Sequence, residues 1–302
     1  MFIITYRKIF YTISALLIGF SIFAVSFWGL NFGIDFTGGS IMEVAFKESV
    51  DIRPTLANLG HGQAIVRQTE DNGYMIRTHS MSEDERRALE AGVVSQGGEV
   101  LRLDSVGPIL GEELQGKAIW SIVLVVLAIL IFITYVFRHV SEPVSSWKYG
   151  FVAITALAHD VIVPTGVFAF LGRNRGFEID ALFVTALLVI LGFSIHDTIV
   201  VFDRTREHLK NGELKQKSFA HVVGGAISET FSRSINTSLT TMLALVVLWV
   251  LGPDATKNFA LVMIIGIAVG TYSSIFIGSP LLVTLERLQA NRIVKQKNAR
   301  TK

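Results

Sequence analysis

The sequence of 302 residues contains no cysteine and is poor in charged residues. Without cysteine, the chain cannot be a disulfide-stabilised secreted scaffold. Lys, Arg, Asp and Glu make up 17% of the residues, whereas 51% are hydrophobic; ordinary soluble domains contain about 25% charged residues. This composition excludes intrinsic disorder and a wholly soluble protein, and it predicts an integral membrane protein with room for one modest soluble domain.

Charge is missing altogether from long stretches of the chain. About 20 mainly apolar residues form a membrane-spanning helix, and the sequence predicts six of them, at residues 9–28, 118–137, 150–171, 181–202, 235–251 and 259–282. The first run is longer than the hydrophobic region of a cleaved signal peptide, which favours an uncleaved anchor. With the N-terminus inside, the inner segments carry 16 Lys and Arg residues and the short outer loops carry three. The positive-inside rule therefore predicts that both termini are cytoplasmic.

The spans divide the chain into a predicted series of domains. These are an N-terminal segment with the first span (1–30), an extracytoplasmic domain (31–117), a five-span bundle (118–285) with a cytoplasmic loop (203–234), and a basic cytoplasmic tail (286–302). The extracytoplasmic domain has a net charge of −6, which argues against nucleic-acid binding. Its apolar alternation and turn residues predict the order βαββαβ. The predicted fold is therefore α-helical and membrane-embedded, with a small α+β domain of ferredoxin-like arrangement after the first span.

The sequence offers no recognisable enzyme site. It has no H-E-x-x-H motif, no Walker lysine and no cysteine cluster, so we predict no metal, no cofactor and no covalent catalysis. Ser194, His196 and Asp197 are the residue types of a hydrolytic triad. They lie on one predicted helix, where near neighbours point in different directions and cannot form the required chain of hydrogen bonds.

Two acids fall inside predicted spans, Asp160 in the third and Asp197 in the fourth. A buried Asp in a membrane helix is costly, and such residues often mark an ion or proton path. Arg233, at the start of the fifth span, could pair with Asp197, either as a proton-sensitive switch or as a static contact between helices. His159 and His196 precede the two acids; they could relay protons, but a hydrogen bond between helices is the simpler prediction.

Two further patterns concern helix packing. Gly266, Gly270, Ser274 and Gly278 recur every four residues in the last span and predict close helix approach, either within the bundle or with a partner. Apolar residues with helical spacing over 219–231 predict an amphipathic helix at the cytoplasmic surface of the membrane.

Five motifs give the chain a family resemblance. They are GIDFTGG at residues 33–39, VGPILGEEL at 106–114, ALAHDVI at 156–162, GFSIHDTIVVFDR at 192–204 and FSRSINTS at 231–238. Together they resemble the SecD/SecF family of the bacterial Sec protein translocase, over about residues 6–285. The residue before the fourth-span aspartate is often Asn in that family, whereas here it is His196.

The resemblance implies half of a resistance-nodulation-division (RND) type transporter in the cytoplasmic membrane. It implies export of preproteins driven by the proton-motive force, with a SecD-type subunit, the SecYEG channel and YajC as partners. The proton-pathway residues that the resemblance implies are Asp197 and Arg233. Asp160, a motif residue, and His196, which precedes Asp197, are the other candidates for the pathway. The implied motif positions are Asp35, Phe36, Gly38, Gly39, Gly107, Pro108 and Gly111. Two other classes stay open at this point, a stand-alone small-molecule exporter of the same superfamily and a passive translocase scaffold.

Overall fold

A computed structural model describes residues 2–48, 50–68, 72–138 and 144–300, with the backbone alone at residues 146, 254 and 291–300. The chain forms two compact units. The helical unit contains Met1–Asn31, Ser121–Phe177 and Leu182–Lys302. The α+β unit contains Phe32–Trp120 and also the four residues Glu178–Ala181.

Helices make up most of the described chain. In chain order they are α1 (Phe2–Thr5), α2 (Arg7–Trp28), α3 (Ile34–Thr37), α4 (Arg53–Asn58), α5 (Glu83–Ser95), α6 (Pro108–Val136), α7 (Ser146–Arg175), α8 (Ala181–Lys210), α9 (Phe219–Leu251), α10 (Asp254–Ser273) and α11 (Ser279–Arg300). A 3-10 turn lies at Glu213–Lys215, and a π-helical segment, Ser274–Gly278, joins α10 to α11. The strands are β1 (Gly39–Phe46), β2 (Ile65–Gln68), β3 (Gly73–Thr78) and β4 (Gly98–Val106).

Six of the described helices are long and apolar enough to cross a membrane, which agrees with the six predicted spans. They are Arg7–Trp28, Pro108–Val136, Trp147–Arg175, Ala181–Lys210, Phe219–Leu251 and Ala255–Ala290. The chain is therefore a multi-pass membrane protein. Some helices are longer than the predicted spans, because they continue into polar sequence at one end. Helix α6 begins at Pro108, before the predicted span 118–137, and α8 ends at Lys210, after the predicted span 181–202.

The four strands form one sheet in the order β2-β3-β1-β4, with every neighbouring pair antiparallel. This is the strand order of a ferredoxin-like βαββαβ domain, so the predicted fold class is confirmed. Alternate residues of β1, namely Met42, Val44 and Phe46, are buried against one face of the sheet. Leu56 of α4 and Leu89 and Val93 of α5 cover that face and complete the domain core.

A capping box starts α5. The Ser82 hydroxyl accepts a hydrogen bond from the Glu85 N–H, and the Glu85 carboxylate accepts one of 2.8 Å from the Ser82 N–H. This hydrogen bond from the backbone, with a second from the Ser82 hydroxyl, holds the pKa of Glu85 below its usual range. Ser82 and Glu85 thereby supply acceptors for backbone N–H groups at the start of α5, which have no partner within the helix.

One prediction about the inner segments is wrong in detail. Residues 219–231 do not form a separate helix lying on the membrane surface, because α9 runs without a break from Phe219 into the fifth span. Their apolar face is occupied inside the bundle, where Phe219, Val223 and Ile227 belong to the hydrophobic core. The predicted tail is helical as far as Arg300, as the continuation of α11, and residues 301–302 lie outside the described part of the chain.

Close contact between α2 and α7 is made possible by small residues. A Cβ atom on Gly166 would lie 2.2 Å from the Cβ of Ser21, which is 1% exposed. Helices approach this closely only where both surfaces lack bulk. The contact fixes α7, the helix that carries Asp160, against the first span.

Candidate functional site

Asp160 lies near the middle of α7 and its side chain is completely buried. Its Oδ2 atom accepts two hydrogen bonds from other helices, one of 2.5 Å from the Ser194 hydroxyl on α8 and one of 2.8 Å from the Ser273 hydroxyl at the end of α10. A single carboxylate oxygen thus connects three membrane helices. Hydrogen bonds to an ionised acceptor are shorter and stronger than neutral ones, so the ionised form of Asp160 would hold this contact more firmly than the protonated form.

The helical ladder changes to π-helical geometry directly after Ser273, over Ser274–Gly278. The Ser274 hydroxyl lies 2.8 Å from the Thr198 hydroxyl and donates a 3.1 Å hydrogen bond to the Ser194 carbonyl oxygen. The Ser279 hydroxyl donates to the carbonyl oxygen of Ser274 at 3.2 Å. Single π-turns inside longer helices are rare and concentrate at functional sites. Here the π-turn begins beside the buried carboxylate.

His159 completes the surroundings of Asp160. Its Nδ1 atom lies 3.1 Å from Oδ1 of Asp160, so the predicted hydrogen bond between helices is wrong: the imidazole contacts its own neighbour. Its Nε2 atom is buried and has no hydrogen-bond partner in the described part of the chain. The ring lies 6.1 Å from that of Tyr272, whose hydroxyl donates to the Phe10 carbonyl oxygen on α2 at 3.0 Å.

Asp197, three residues after Ser194 on α8, is the second buried acid of the helical unit. Its side chain is 3% exposed, and its Oδ2 atom has no hydrogen-bond partner among the described residues. The hydroxyls of Ser234 on α9 and Thr271 on α10 are its polar neighbours. Thr271 and Ser238 share a 2.5 Å hydrogen bond, which extends this polar patch along α9. A buried carboxylate oxygen without a donor is unusual and is well suited to accept a proton.

The two other residues of the predicted proton pathway lie on the surface of this chain. Arg233 and His196 are both exposed, on α9 and α8. Arg233 acts on Asp197 as a nearby charge, yet no ion pair joins the two within the described residues. Helix geometry explains this, because the next residue, Ser234, turns inward to Asp197 and therefore turns Arg233 outward. The surface that exposes both side chains can contact lipid or a second subunit.

The four small residues of the last span pack within the bundle. A Cβ on Gly266 would lie 2.1 Å from the Cδ1 of Ile190, and one on Gly270 would lie 3.0 Å from the Cβ of Ser194. Ser274 is buried against α8, and a Cβ on Gly278 would lie 3.9 Å from Val152 of α7. Of the two predicted uses of this strip, contact between α8 and the last span is the one seen here. It brings Ser194 close enough to reach Asp160.

The motifs at 33–39 and 106–114 come together in the α+β unit. Gly38 has a φ of +69°, and a Cβ there would lie 2.9 Å from the Cα of Pro108. Gly39 has a φ of +131°, and a Cβ there would lie 2.8 Å from the Thr78 carbonyl oxygen. Gly111 lies on the first turn of α6, and a Cβ there would lie 3.0 Å from the Phe36 carbonyl oxygen.

The remaining residues of these motifs have structural positions of their own. Phe36 is buried, Gly107 directly precedes α6 and has open space around it, and Asp35 contacts the first residue of α8. Only glycine allows the positive φ values and the close backbone contact at Gly38 and Gly39.

Sequence reasoning missed the hydroxyl groups that surround both acids. Ser194 and Thr198 lie within the recognised 192–204 motif, and residues 271–274 of the last span form a run of four hydroxyl residues. Hydroxyl residues inside an apolar span could have indicated partners for the buried acids. Within the described residues no three His, Cys, Asp or Glu side chains lie close enough to hold a metal ion.

Comparison with protein families gives two matches. Residues 89–288 match the family "Protein export membrane protein SecD/SecF, C-terminal", and residues 27–50 match the "SecD/SecF GG Motif". Among curated proteins, the chain is 41% identical to the protein translocase subunit SecF of Thermobaculum terrenum, over 97% of this chain and 96% of that protein. It is 37% identical to the protein of the same name from Sebaldella termitidis, over 94% and 91% of the two chains.

Two solved structures are similar to this chain. The first is the crystal structure of SecDF, a translocon-associated membrane protein from Thermus thermophilus, with a TM-score of 0.81 and 33% identity over 94% of this chain. The second is SecDF in a super-membrane-facing form, with a TM-score of 0.67 and 31% identity over 96% of this chain. This chain covers 38% and 39% of those longer chains.

Proposed function

The chain belongs to the SecD/SecF family of protein export membrane proteins, and we propose that it helps the Sec translocase to export proteins by using the proton-motive force. Relatives that align along almost the whole chain are named translocase subunits, which supports an accessory role in export rather than catalysis. The solved SecDF chains are more than twice as long as the part matched here. A SecD-type protein is therefore the proposed partner, with the SecYEG channel, YajC and a translocating preprotein as further contacts.

The hydrogen-bonded carboxylate of Asp160 is the observation that carries the proton-driven mechanism. It is fully buried and holds α8 and the last span through one oxygen atom. A proton that binds this group removes its charge and weakens both contacts. A proton that moves down a membrane potential releases about 2.3 kcal/mol per 100 mV, which is comparable to the energy of such hydrogen bonds.

Asp197 is the second proposed proton-binding group. Its Oδ2 atom lacks a donor, and the charge of Arg233 acts on it from α9. Exposed His196 and Arg233 would face the partner subunit, where the polar surface of a second bundle could enclose them. In this scheme protons pass between the two carboxylates along the hydroxyl groups of α8 and the last span, and each transfer alters the packing of these helices.

The proposed orientation places both termini in the cytoplasm and the α+β unit on the opposite side, in the cytoplasmic membrane of the cell. It rests on the excess of Lys and Arg in the inner segments. The α+β unit could then contact a translocating chain as it emerges. A change in helix packing would move or release that contact, which couples proton entry to export.

The test measures export into inverted membrane vesicles that contain the full translocase, with and without a proton gradient. Asp160→Asn and Asp197→Asn keep the side-chain size and remove titration, so each should abolish the part of export that depends on the gradient. Asp203→Asn, on an exposed position of the same α8 helix, is the matched control and should leave it intact. Gradient-dependent export that persists in both buried variants would overturn the proposal, and would favour the passive scaffold.

A further inference from the structure

An apolar groove lies between the end of α6 and the start of α7, on the surface of the helical unit. It encloses about 720 Å³ and is lined by Leu130, Ile131, Thr134, Tyr135, Arg138, Trp147, Phe151 and Ile154. On both helices the lining residues are spaced three and four apart, so each helix contributes one face to the groove. The wall residues Ile131, Tyr135 and Trp147 are 60–62% exposed, so the described chain leaves most of their surface uncovered.

A glycine sets the depth of the groove. A Cβ on Gly150 of α7 would lie 2.9 Å from the Cδ1 of Leu130 and 3.0 Å from the Thr134 hydroxyl oxygen, both on α6. The two helices therefore meet at Gly150, and larger side chains on either side form the walls. From Arg138 to Leu130 the groove runs for about 12 Å at 1.5 Å per residue, which is most of one leaflet in a hydrocarbon core of about 30 Å.

Arg138 closes one end of the groove, two residues after α6. Its guanidinium carbon lies 4.0 Å from the centre of the Tyr135 ring, and its Nη1 atom donates a 3.1 Å hydrogen bond to the Tyr135 carbonyl oxygen. That hydrogen bond uses one of the five N–H donors of the guanidinium. The side chain is exposed, and within the described residues no acidic group pairs with it. Its charge and its other donors can therefore meet a bound anion.

A second cation lies at the same end of the groove. The ammonium group of Lys148 lies 6.0 Å from the centre of the Trp147 ring and contacts Gln289 of α11. Trp and Tyr are typical of the level of lipid headgroups, and basic pockets between membrane helices bind anionic headgroups. The cations and two aromatic rings thus lie at one end, and the rest of the lining, apart from Thr134, is apolar.

We propose that this groove binds one anionic phospholipid, with the phosphate on Arg138 and an acyl chain between α6 and α7. A guanidinium donates two parallel hydrogen bonds to a phosphate, a geometry that the apolar face of another protein's helix does not offer. A zwitterionic lipid carries a cation of its own beside the phosphate, which Arg138 and Lys148 repel, so the site prefers a lipid with a net negative charge. Such a lipid would bind whether or not the chain takes part in proton-driven export.

Native mass spectrometry of the purified full chain, titrated with phosphatidylglycerol or phosphatidylcholine, tests the headgroup contact. We expect one phosphatidylglycerol to bind more tightly than phosphatidylcholine, and Arg138→Gln to weaken its binding about fivefold, the effect of one cation near an anionic lipid surface. Arg138→Lys keeps the charge and should retain most of the affinity. Arg175→Gln, at an exposed position at the other end of α7, is the matched control and should bind normally. Equal phosphatidylglycerol affinities for Arg138→Gln and Arg175→Gln would overturn the proposal.

Tryptophan fluorescence locates the acyl chain. The chain has four tryptophans, so replacement of Trp28, Trp120 and Trp249 by Phe leaves Trp147, in the groove wall, as the reporter. Brominated phosphatidylglycerol in a bilayer should quench Trp147 at a several-fold lower mole fraction than brominated phosphatidylcholine, and Arg138→Gln should remove this difference. The matched control keeps Trp249 alone, which is exposed on α9 and does not line the groove, and both lipids should quench it equally.

Two results would reject an anionic lipid as the occupant of the groove. Equal quenching of Trp147 by the two brominated lipids would show that the groove holds surrounding lipid without a preference for charge. Loss of Trp147 quenching when a SecD-type partner is bound, with quenching of Trp249 unchanged, would instead assign the groove to an interface with another protein chain.

Discussion

Ser194 of α8 donates a 2.5 Å hydrogen bond to the Asp160 carboxylate of α7, deep within the helical unit. The contact depends on Gly270, since a side chain at that position would occupy the space beside Ser194. Ser273 donates to the same carboxylate oxygen from the turn that precedes the π-helical segment. An acidic side chain, close helix packing and irregular helix geometry therefore meet at Asp160.

We expect Ser194→Ala to destabilise the helical unit by about 1–3 kcal/mol, the usual penalty for removing a donor from a buried acceptor. Thermal unfolding in detergent, followed by circular dichroism, measures the change. Ser228→Ala, on an exposed position of α9, is the matched control and should leave the unfolding temperature unchanged. Equal unfolding temperatures for the two variants would contradict the importance of the Ser194 contact.

The number of spans and the order of strands and helices along the α+β domain could be predicted from the sequence, because both follow from local patterns. Absence of charge marks the spans, and turn residues mark the α+β domain. The partners of Asp160 could not be predicted in the same way, since Ser194 and Ser273 are 34 and 113 residues away from it. The π-helical segment also has no sequence signal of its own, because it depends on packing among helices.

The second prediction concerns Gly270. Gly270→Leu should force α10 away from α8, displace Ser194 from Asp160 and destabilise the chain by about 1–3 kcal/mol, as overpacking typically does. Gly192→Leu is the control, because Gly192 is exposed on α8 and a Cβ there meets no atom within 4 Å. Thermal unfolding of the isolated subunit should separate the two variants clearly. A stable Gly270→Leu subunit that fails only to bind a SecD-type partner would instead place this strip at the subunit interface.

The third prediction concerns orientation. The chain has no cysteine, so a single introduced thiol can be labelled without background. Ser95→Cys in the α+β unit should react with a membrane-impermeant thiol reagent added to intact spheroplasts, whereas Gln216→Cys, after the 3-10 turn, should react only once the membrane is opened. Both positions are exposed, so a difference in labelling reports the side of the membrane. The opposite pattern would invert the proposed topology.

The connection at Glu178–Ala181 shows where sequence reasoning stops. The segment reads as a short loop between two spans, and its membership of the α+β unit depends on contacts with Asp35 and Arg77, more than 100 residues earlier. The predicted pair of Asp197 with Arg233 likewise depends on how two separate helices, α8 and α9, pack against each other. Its residue types and depth are plausible from the sequence, but the direction of each side chain is set by helix rotation, which the sequence of one chain does not specify.

The last prediction follows from the outward position of Arg233. Because Arg233 is exposed and forms no ion pair within the described residues, Arg233→Gln should leave the unfolding temperature of the isolated subunit unchanged. It should nevertheless reduce gradient-dependent export, since it removes the charge that acts on Asp197. Arg233→Lys keeps that charge and should retain most of the activity. Thermal unfolding and vesicle export, measured on the same preparations, distinguish these effects. A large loss of stability in Arg233→Gln alone would show that the arginine pairs directly with a buried acid in the membrane.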